Sequence, residues 1–296
     1  MTPQILQIAQ QTIQQDLKTT LCSFDLPSPL QQAVYHAAML GGKRVRPALC
    51  YAAAQLLQDE LNPAARRAAV AVELIHCYSL THDDLPCMDN DALRRGQPTV
   101  HVAYDEATAL LAGDILQSMA FEVLGSRLFE TQDIANPSIA LRQMQILATA
   151  SSKMVCGQVL DLQSEAKQIT QDALETIHRN KTGALIQAAM MLGATTVLPV
   201  GHQAFGDLRQ FGQALGLAFQ VQDDILDIIA DTQTLGKTAG KDQHVQKSTY
   251  PALLGLENAQ QYAEQLHQQA LQALENIEGN IQPLREITQF LLHRQS

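Results

Sequence analysis

Apolar residues recur at every third or fourth position through most of this chain, which is the spacing of one face of an α-helix. Close to the N-terminus this face consists of Ile5, Ile8, Ala9, Ile13 and Leu17. The same pattern runs through four longer segments, residues 64–80, 105–129, 138–159 and 203–229. Long helices that are apolar on most of their faces must be buried against one another.

Patterns typical of β-strands are scarce. The β-branched cluster from Thr195 to Leu198 is too short to build a sheet. The gaps between glycine and proline turn signals are mostly the length of a helix, and we find no internal repeat and no linker rich in Pro, Gly or Ser. The sequence therefore predicts one all-α domain over residues 1–296.

Charge and composition exclude several classes of protein. The 296 residues contain 20 Lys and Arg against 30 Asp and Glu, a net charge of −10, so the chain lacks the basic surface of a nucleic-acid-binding protein. Hydrophobic residues make up 46% of the sequence, which excludes a disordered chain. Five scattered cysteines without a C-x-x-C pair indicate a reducing compartment. With no signal-peptide pattern at the N-terminus, we expect a cytoplasmic protein.

Residues 182–201 carry no charge and are long enough to span a bilayer. However, Gln187, Pro199 and several glycines interrupt the segment, and its apolar residues are mostly Ala and Met. We therefore expect a buried core helix that ends in a turn, and no stable membrane insertion.

Two clusters of carboxylates follow long apolar segments. In the second cluster, Asp223 and Asp227 are four residues apart and Gln220 precedes them on the same helix face. Two like charges this close repel each other unless a cation lies between them. Mg²⁺ fits, since it takes oxygen ligands and usually keeps waters and substrate phosphates in its shell.

In the first cluster, Asp83 and Asp89 are six residues apart, so one unbroken helix would not present both to one ion. Pro86 lies between them, and proline breaks a helix. We expect the helix to end near Asp84 and a loop to bring Asp89 back. A single acidic patch of this kind is more often a solvated helix end than a site.

Basic residues beside glycines occur near these clusters, at residues 41–47, 94–96, 181–183 and 236–242. Glycine turns and helix N-termini expose backbone N–H groups, and Arg and Lys add positive charge, so such segments suit anions. Two acidic patches combined with dispersed cations indicate a diphosphate held through Mg²⁺ on one side and by direct cation contacts on the other. The segment Gly236-Lys237-Thr238 is not a P-loop, because Asp231 stands where the motif needs glycine.

The ordered set of motifs resembles the trans-isoprenyl diphosphate synthases, and most of all the bacterial members that form farnesyl diphosphate. The resemblance extends from about residue 35 to 251. Its motifs are Asp83-Asp84-x-x-x-x-Asp89, Arg94-Arg95-Gly96, Gly42-Lys43-x-x-Arg46-Pro47, Gly157-Gln158-x-x-Asp161, Lys181-Thr182-Gly183, Asp223-Asp224-x-x-Asp227 and the segment from Gly236 to Asp242.

This resemblance implies the all-α isoprenoid synthase fold, a single polyprenyl synthetase domain with helices around a deep central cavity, and a homodimer. The implied enzyme condenses isopentenyl diphosphate with dimethylallyl or geranyl diphosphate to farnesyl diphosphate, releases diphosphate and uses three Mg²⁺ ions. The alternatives are a geranylgeranyl- or geranyl-forming synthase with the same chemistry, or a non-catalytic subunit that modulates a partner synthase. The intact acidic and basic positions argue against the last.

The resemblance also implies a role for individual residues. Those expected to bind Mg²⁺ are Asp83, Asp84, Asp89 and Asp223, with Asp227 nearby. Those expected to hold the allylic diphosphate are Arg94, Lys181 and Lys237, with help from Lys247. Those expected to hold isopentenyl diphosphate are Gly42, Lys43, Arg46, His76 and Arg95. Thr182 and Gln220 would place oxygens near the developing allylic cation and, with Lys181, form the catalytic set. We expect Gln158 and Asp161 to be polar residues facing the cavity, and Cys77 and Cys87 to be structural.

Product length is expected to depend on Tyr78 and Ser79. Ser79 lies one helical turn before Asp83 on nearly the same face, and the ring of Tyr78 could lean across the pocket or be only a core aromatic. In the family that the chain resembles, a bulky residue at the fifth position before the first aspartate is found in the enzymes that make short-chain products. Tyr78 therefore favours a farnesyl over a geranylgeranyl product.

Overall fold

The computed structural model describes residues 2–130, 136–230 and 248–292. The helices are α1 (Gln4–Cys22), α2 (Leu30–Met39), α3 (Val45–Ala54), α4 (Pro63–Asp83), α5 (Val100–Ala103), α6 (Glu106–Gly125), α7 (Pro137–Ser164), α8 (Gln171–His178), α9 (Ala184–Ala194), α10 (Ala204–Ala230), α11 (Tyr250–Leu254), α12 (Leu256–Leu274) and α13 (Gln282–Leu292). A π-helical turn, Arg179–Gly183, joins α8 to α9. An antiparallel hairpin of β1 (Leu93–Arg94) and β2 (Gln97–Pro98) is the sheet structure in these ranges. The prediction of an all-α fold is confirmed.

Two of the prolines in the sequence mark helix starts. Pro63 and Pro137 are the first residues of α4 and α7, where the missing proline N–H has no helical partner to lose. Each follows an asparagine whose side-chain oxygen accepts backbone N–H groups of the first turn. The Asn62 oxygen lies 2.9 Å from the Ala65 nitrogen. These caps fix where the two helices begin.

The long helices pack around α9. Helix α9 contacts α3, α4, α7 and α10, while α6 packs mainly against α4, and α12 against α10. Most of the α9 residues are buried, and Met191 is partly exposed. Turns follow at Thr195, as expected for residues 182–201. The predicted buried helix is therefore confirmed.

Helix α6 is, among the helices that the structure describes, the one long and apolar enough to cross a membrane by length and composition. In its most apolar window 44% of the residues are buried within the fold. It packs against α4, α2 and α7.

One detail of the predicted α1 face is wrong. Ile5, Ala9, Ile13 and Leu17 are buried, but Ile8 is 42% exposed. Leu6, which is only 1% exposed, is buried in the first turns of α1 where Ile8 was expected to be. The face that α1 presents to α2, α3 and α4 is thus rotated slightly from the one that spacing predicts.

Candidate active site

The first acidic cluster lies at the C-terminal end of α4. The helix ends at Asp83, and the chain then folds back, with the backbone nitrogen of Asp89 donating to the carbonyl of Asp83 over 2.8 Å. The nitrogen of Asp91 donates to the carbonyl of Asp84 over 3.2 Å. The predicted break near Asp84 and the return of Asp89 are confirmed. The loop places both carboxylates at one end of the helix.

Asp83 lies in a partly desolvated, acidic environment. Burial raises the pKa of Asp83 to about 6, with the Lys181 ammonium opposing the rise and the Asp89 carboxylate adding to it. Lys181 belongs to the π-helical turn, far from Asp83 in sequence. The Lys181 charge therefore provides an electrostatic interaction between the turn that links α8 to α9 and the end of α4.

Asp84 and Arg94 bind each other. The Arg94 Nε lies 2.9 and 3.1 Å from the two Asp84 carboxylate oxygens, and Arg94 Nη2 also donates to Oδ1. Asp84 is only 3% exposed. The carboxylate expected to bind metal and the guanidinium expected to bind diphosphate are thus joined in a forked ion pair. In this arrangement Asp84 orients Arg94.

Arg95, next to Arg94 in the hairpin, contacts a different part of the fold. Arg95 and Gly96 form the two-residue turn between β1 and β2, with φ angles of 53° and 75°, as hairpin turns of this kind require. The Arg95 guanidinium donates to the carbonyl of Gly41. Gly42, at φ 118°, lies directly beneath that guanidinium, where any Cβ would clash with it. The basic hairpin and the glycine turn therefore form one surface.

Arg44, the middle cation of that turn, is buried. Its Nη1 lies 2.5 Å from Glu73 Oε1 on α4, and its Nη2 lies 2.8 Å from the carbonyl of Ala38. Both side chains of the pair are at most 3% exposed. The sequence pattern did not reveal this pairing, although a glutamate in the middle of an apolar helix is a sign of a buried partner.

Arg46 and His76 lie beside this ion pair. Burial lowers the pKa of Arg46, and the carboxylates of Glu73 and Asp223 oppose that shift, which places the second acidic cluster within electrostatic reach of α3. Burial and the guanidinium groups of Arg46 and Arg95 keep the pKa of His76 well below its usual value. His76 is therefore neutral at physiological pH and can offer one N–H. Lys43 directly precedes Arg44.

The π-helical turn carries Lys181 and Thr182. The Lys181 ammonium lies 2.7 Å from the Asp161 carboxylate on α7. Gly157, one helical turn before Asp161, lies against the backbone of Lys181, and any side chain there would overlap it. Such close approach of two backbones holds the turn in its position. Single-turn π bulges are frequent at functional sites.

Thr182 contacts the second acidic cluster through Gln220. The Thr182 hydroxyl donates to Gln220 Oε1 over 3.1 Å. Gln220 Nε2 in turn donates to Asp224 Oδ1 over 3.2 Å. The other Asp224 oxygen accepts the backbone N–H of Tyr250 over 3.0 Å. The catalytic pair expected from the resemblance is thus in direct contact, and Asp224 has a role that the sequence pattern did not reveal.

The fit to Mg²⁺ rests on oxygen donors at the ends of α4 and α10. Within residues 2–130, 136–230 and 248–292, no group of three His, Cys, Asp or Glu side chains converges to hold a metal ion by itself. Asp83 and Asp89 share one helix end, Asp223 is half-buried, and Asp227 is exposed one turn later. An ion here would complete its shell with diphosphate oxygens and water, as Mg²⁺ usually does. These carboxylates therefore fit Mg²⁺ if diphosphate and water supply the remaining ligands.

Tyr78 is half-buried and packs against the main core. Its ring meets His82 edge-to-face at 5.2 Å between centroids. His82 is itself fixed to α6, with Nε2 2.9 Å from the carbonyl of Leu110. Ser79 turns its hydroxyl back to the carbonyl of His76. The Tyr78 ring is therefore held in place on α4, five residues before Asp83.

Some predicted residues lie outside the part of the chain described here, namely Lys237 and Lys247. Gln158 is half-buried, and its Nε2 is a buried donor without a partner in the described ranges. Burial raises the pKa of Cys77 to about 12, so its thiol is inert, and Cys87 is exposed and free.

Comparisons with known proteins identify the family to which the chain belongs. The polyprenyl synthetase family model matches residues 27–287. A farnesyl diphosphate synthase from Haemophilus influenzae is 49% identical over 91% of this chain and 90% of its own length. Large subunit 1 of a heterodimeric geranylgeranyl pyrophosphate synthase from Arabidopsis thaliana is 43% identical over 91% of this chain and 73% of its own. A crystal structure of a Helicobacter pylori geranyltransferase, complexed with magnesium and isoprenyl diphosphate, superposes with a TM-score of 0.81 at 33% identity over 99% of this chain and 97% of its own. The chain belongs to the polyprenyl synthetase family.

Proposed function

We propose that this protein is a Mg²⁺-dependent prenyltransferase that joins isopentenyl diphosphate to dimethylallyl or geranyl diphosphate and forms farnesyl diphosphate. The observation that carries the proposal is the position of Lys181. Its ammonium lies 2.7 Å from the Asp161 carboxylate, and its charge opposes the rise in the pKa of Asp83. The next residue, Thr182, donates a hydrogen bond to Gln220. One turn therefore joins both acidic helix ends.

In the proposed reaction, the carbon–oxygen bond of the allylic diphosphate breaks heterolytically, and the pair of electrons leaves with diphosphate. Mg²⁺, in our proposal three ions held by Asp83, Asp89 and Asp223 with Asp227 nearby, would neutralise charge on that leaving group. Lys181 and Arg94 would add positive charge beside the leaving group. The resemblance assigns the same role to Lys237 and Lys247, which lie outside the described residues. Asp84 contributes by orienting Arg94.

The second substrate would lie on the basic surface formed by the hairpin and the glycine turn. Lys43, Arg46 and Arg95 would bind its diphosphate, with Gly42 allowing close approach and neutral His76 donating a hydrogen bond. The alkene of isopentenyl diphosphate then attacks the allylic cation, which the oxygens of Thr182 and Gln220 stabilise. Loss of a proton, with the released diphosphate as base, restores the double bond.

We further propose one polyprenyl synthetase domain that works as a homodimer in the cytoplasm. Large apolar side chains are exposed on two adjacent helices, including Leu111 on α6 (55% exposed) and Leu141 and Val159 on α7 (69% and 48%). A second copy of the chain would cover this face. All five cysteines are free, which suits a reducing compartment. Light scattering at micromolar concentration should report twice the mass of 32.4 kDa.

One assay tests the activity and its alternatives. The purified chain is incubated with Mg²⁺, isopentenyl diphosphate and either allylic substrate, and the product length is read by mass spectrometry. We expect farnesyl diphosphate. A geranylgeranyl or geranyl product would favour the alternative chain lengths, and a folded protein without product would favour the regulatory subunit.

A further inference from the structure

Asp224 differs from the other carboxylates of the second acidic cluster in that it faces the protein interior. It is 5% exposed, whereas its neighbour Asp223 is half-buried and Asp227 is exposed. Its two oxygens accept hydrogen bonds from Gln220 Nε2 and from the backbone N–H of Tyr250. To bind an ion at the end of α10 beside Asp223 and Asp227, the Asp224 carboxylate would have to point away from the protein interior.

Asp224 is itself held in one orientation. Tyr250, which donates to it, is fully buried and begins α11. The Tyr250 ring stacks on His178 at 5.5 Å between centroids and meets Tyr262 at 5.8 Å. The backbone N–H of Tyr250 is therefore a fixed donor, and it determines the direction in which the second Asp224 oxygen points.

A side-chain amide has two different ends, and its neighbours select between them. A carboxylate can only accept, so the end of Gln220 that faces Asp224 must be the NH2 group. The carbonyl end, Oε1, then faces Thr182, whose hydroxyl donates to it. A threonine hydroxyl can donate or accept, so Thr182 alone would tolerate either orientation of the amide. The choice depends on Asp224.

We propose that Asp224 is a positioning residue that fixes the Gln220 amide with its carbonyl oxygen, rather than its NH2 group, toward Thr182 and the reacting carbons. This proposal deepens the proposed function and depends on it in its last step. An allylic cation is stabilised by the partial negative charge of a carbonyl oxygen and destabilised by the partial positive charge of an NH2 group. Asp224 would thus act on the reaction through Gln220, without touching substrate or metal.

The substitution Asp224→Asn tests this polarity. The introduced asparagine can still accept the Tyr250 N–H with its oxygen, but its NH2 group then faces Gln220. The Gln220 amide must rotate to offer its oxygen, which turns its own NH2 toward Thr182. We expect kcat to fall at least about tenfold. The KM of both substrates and the Mg²⁺ concentration for half-maximal rate should change by less than about threefold, because no ligand or diphosphate contact is lost.

The swapped pair Gln220→Glu with Asp224→Asn provides the rescue. The introduced glutamate accepts from the NH2 group of the introduced asparagine with one oxygen and from Thr182 with the other, so the original polarity and the total charge both return. This double variant should recover most of the lost kcat, and Gln220→Glu alone should be impaired because two carboxylates then face each other. Asp207→Asn, at the start of the same helix, is the matched control and should retain wild-type kcat.

The outcomes separate this inference from the proposed function. If Asp224→Asn keeps wild-type kcat, or if the double variant is no more active than Asp224→Asn, the inference is wrong although the enzyme is a prenyltransferase. If the variants do not fold, a wild-type crystal structure that distinguishes amide nitrogen from oxygen decides, and an NH2 group facing Thr182 would overturn the inference. Absence of prenyl transfer by the wild type would overturn the proposed function instead, and the crystal structure would still report the amide orientation.

Discussion

The Arg44 guanidinium and the Glu73 carboxylate lie 2.5 Å apart with both side chains almost fully buried. The pair ties the glycine turn before α3 to the middle of α4. It also places one carboxylate near three guanidinium groups, since the Glu73 charge opposes the lowering of the pKa of both Arg46 and Arg95. The turn that carries Lys43 is therefore positioned by a residue that the basic motif itself does not contain.

Glu73→Ala should destabilise the fold by about 3–5 kcal/mol, because it leaves the Arg44 charge buried without its partner. Urea unfolding followed by circular dichroism measures the change. Replacing both residues together, Glu73→Leu with Arg44→Leu, should cost less than Glu73→Ala alone, since the Arg44 charge is then no longer left buried without its closest partner. An equal or larger loss in the double variant would show that the charge pairing is not what stabilises this region.

Asp83→Ala and Asp223→Ala should each lower kcat at least about a hundredfold while leaving the thermal unfolding transition near that of the wild type. Each removes an oxygen donor that acts mainly on the transition state. Steady-state kinetics in saturating Mg²⁺ provide the measurement, and the exposed Asp59→Ala serves as the control. Near-normal turnover of a folded Asp83→Ala protein would contradict the proposed metal site.

The two diphosphate positions can be separated by their KM values. Lys43→Ala and Arg46→Ala should raise the KM for isopentenyl diphosphate roughly tenfold, with a smaller effect on the allylic substrate, because each loses one charge-assisted contact. Lys181→Ala should show the reverse preference. Equal effects of these changes on both KM values would mean that the two sites are assigned wrongly.

Tyr78→Ala should lengthen the product from farnesyl toward geranylgeranyl diphosphate. Removing the ring leaves an apolar cavity beside α4, five residues before Asp83, and a longer prenyl chain would fill it. Mass spectrometry of the products gives the ratio, and Tyr78→Phe, which keeps the ring, should give the wild-type product. An active Tyr78→Ala enzyme that still stops at farnesyl would show that the limit on elongation lies elsewhere.

The stability of the protein should fall as the pH decreases from about 6.5 to about 4, in part because of His178. Burial lowers the pKa of His178 from 6.5 to about 4, with Asp161 opposing and Lys181 adding to the shift. Between these values the unfolded chain binds a proton that the native state does not, so the free energy of unfolding decreases as protons are added. The loss is at most about 3 kcal/mol.

His178→Phe should remove this contribution and keep the packing against Tyr250. Both ring nitrogens of His178 are buried without a partner in the described ranges, so the exchange should cost no hydrogen bond there. The difference between the wild-type and variant unfolding free energies across this pH range isolates the His178 contribution. A constant difference would show that His178 titrates normally in the native state.

Residue patterns alone predicted features that depend on neighbouring residues. Features that depend on distant residues were either expected from the resemblance, as for Thr182 and Gln220, or missed. Pro86 was sufficient to predict the end of α4 and the return of Asp89, because a proline acts on its own turn. The partners of Asp84 and Asp224 were not visible, since hydrogen-bond direction depends on how the hairpin and α11 pack. Ile8 shows the same limit on a smaller scale, because helical spacing gives a face but not its exact rotation against neighbours.

Within residues 2–130, 136–230 and 248–292, five non-glycine residues have a positive φ. Three of them, Arg44, Asn90 and Arg95, lie in the turns around the acidic and basic clusters. A left-handed backbone costs an ordinary residue roughly 1 kcal/mol relative to glycine. Glycine in place of Arg95 or Arg44 would relax the turn, but it would also remove a guanidinium that anchors it. Glycine substitutions at these turns, a common way to raise heat resistance, would therefore alter the proposed active site. A search for stabilising substitutions should begin at positions away from these turns instead.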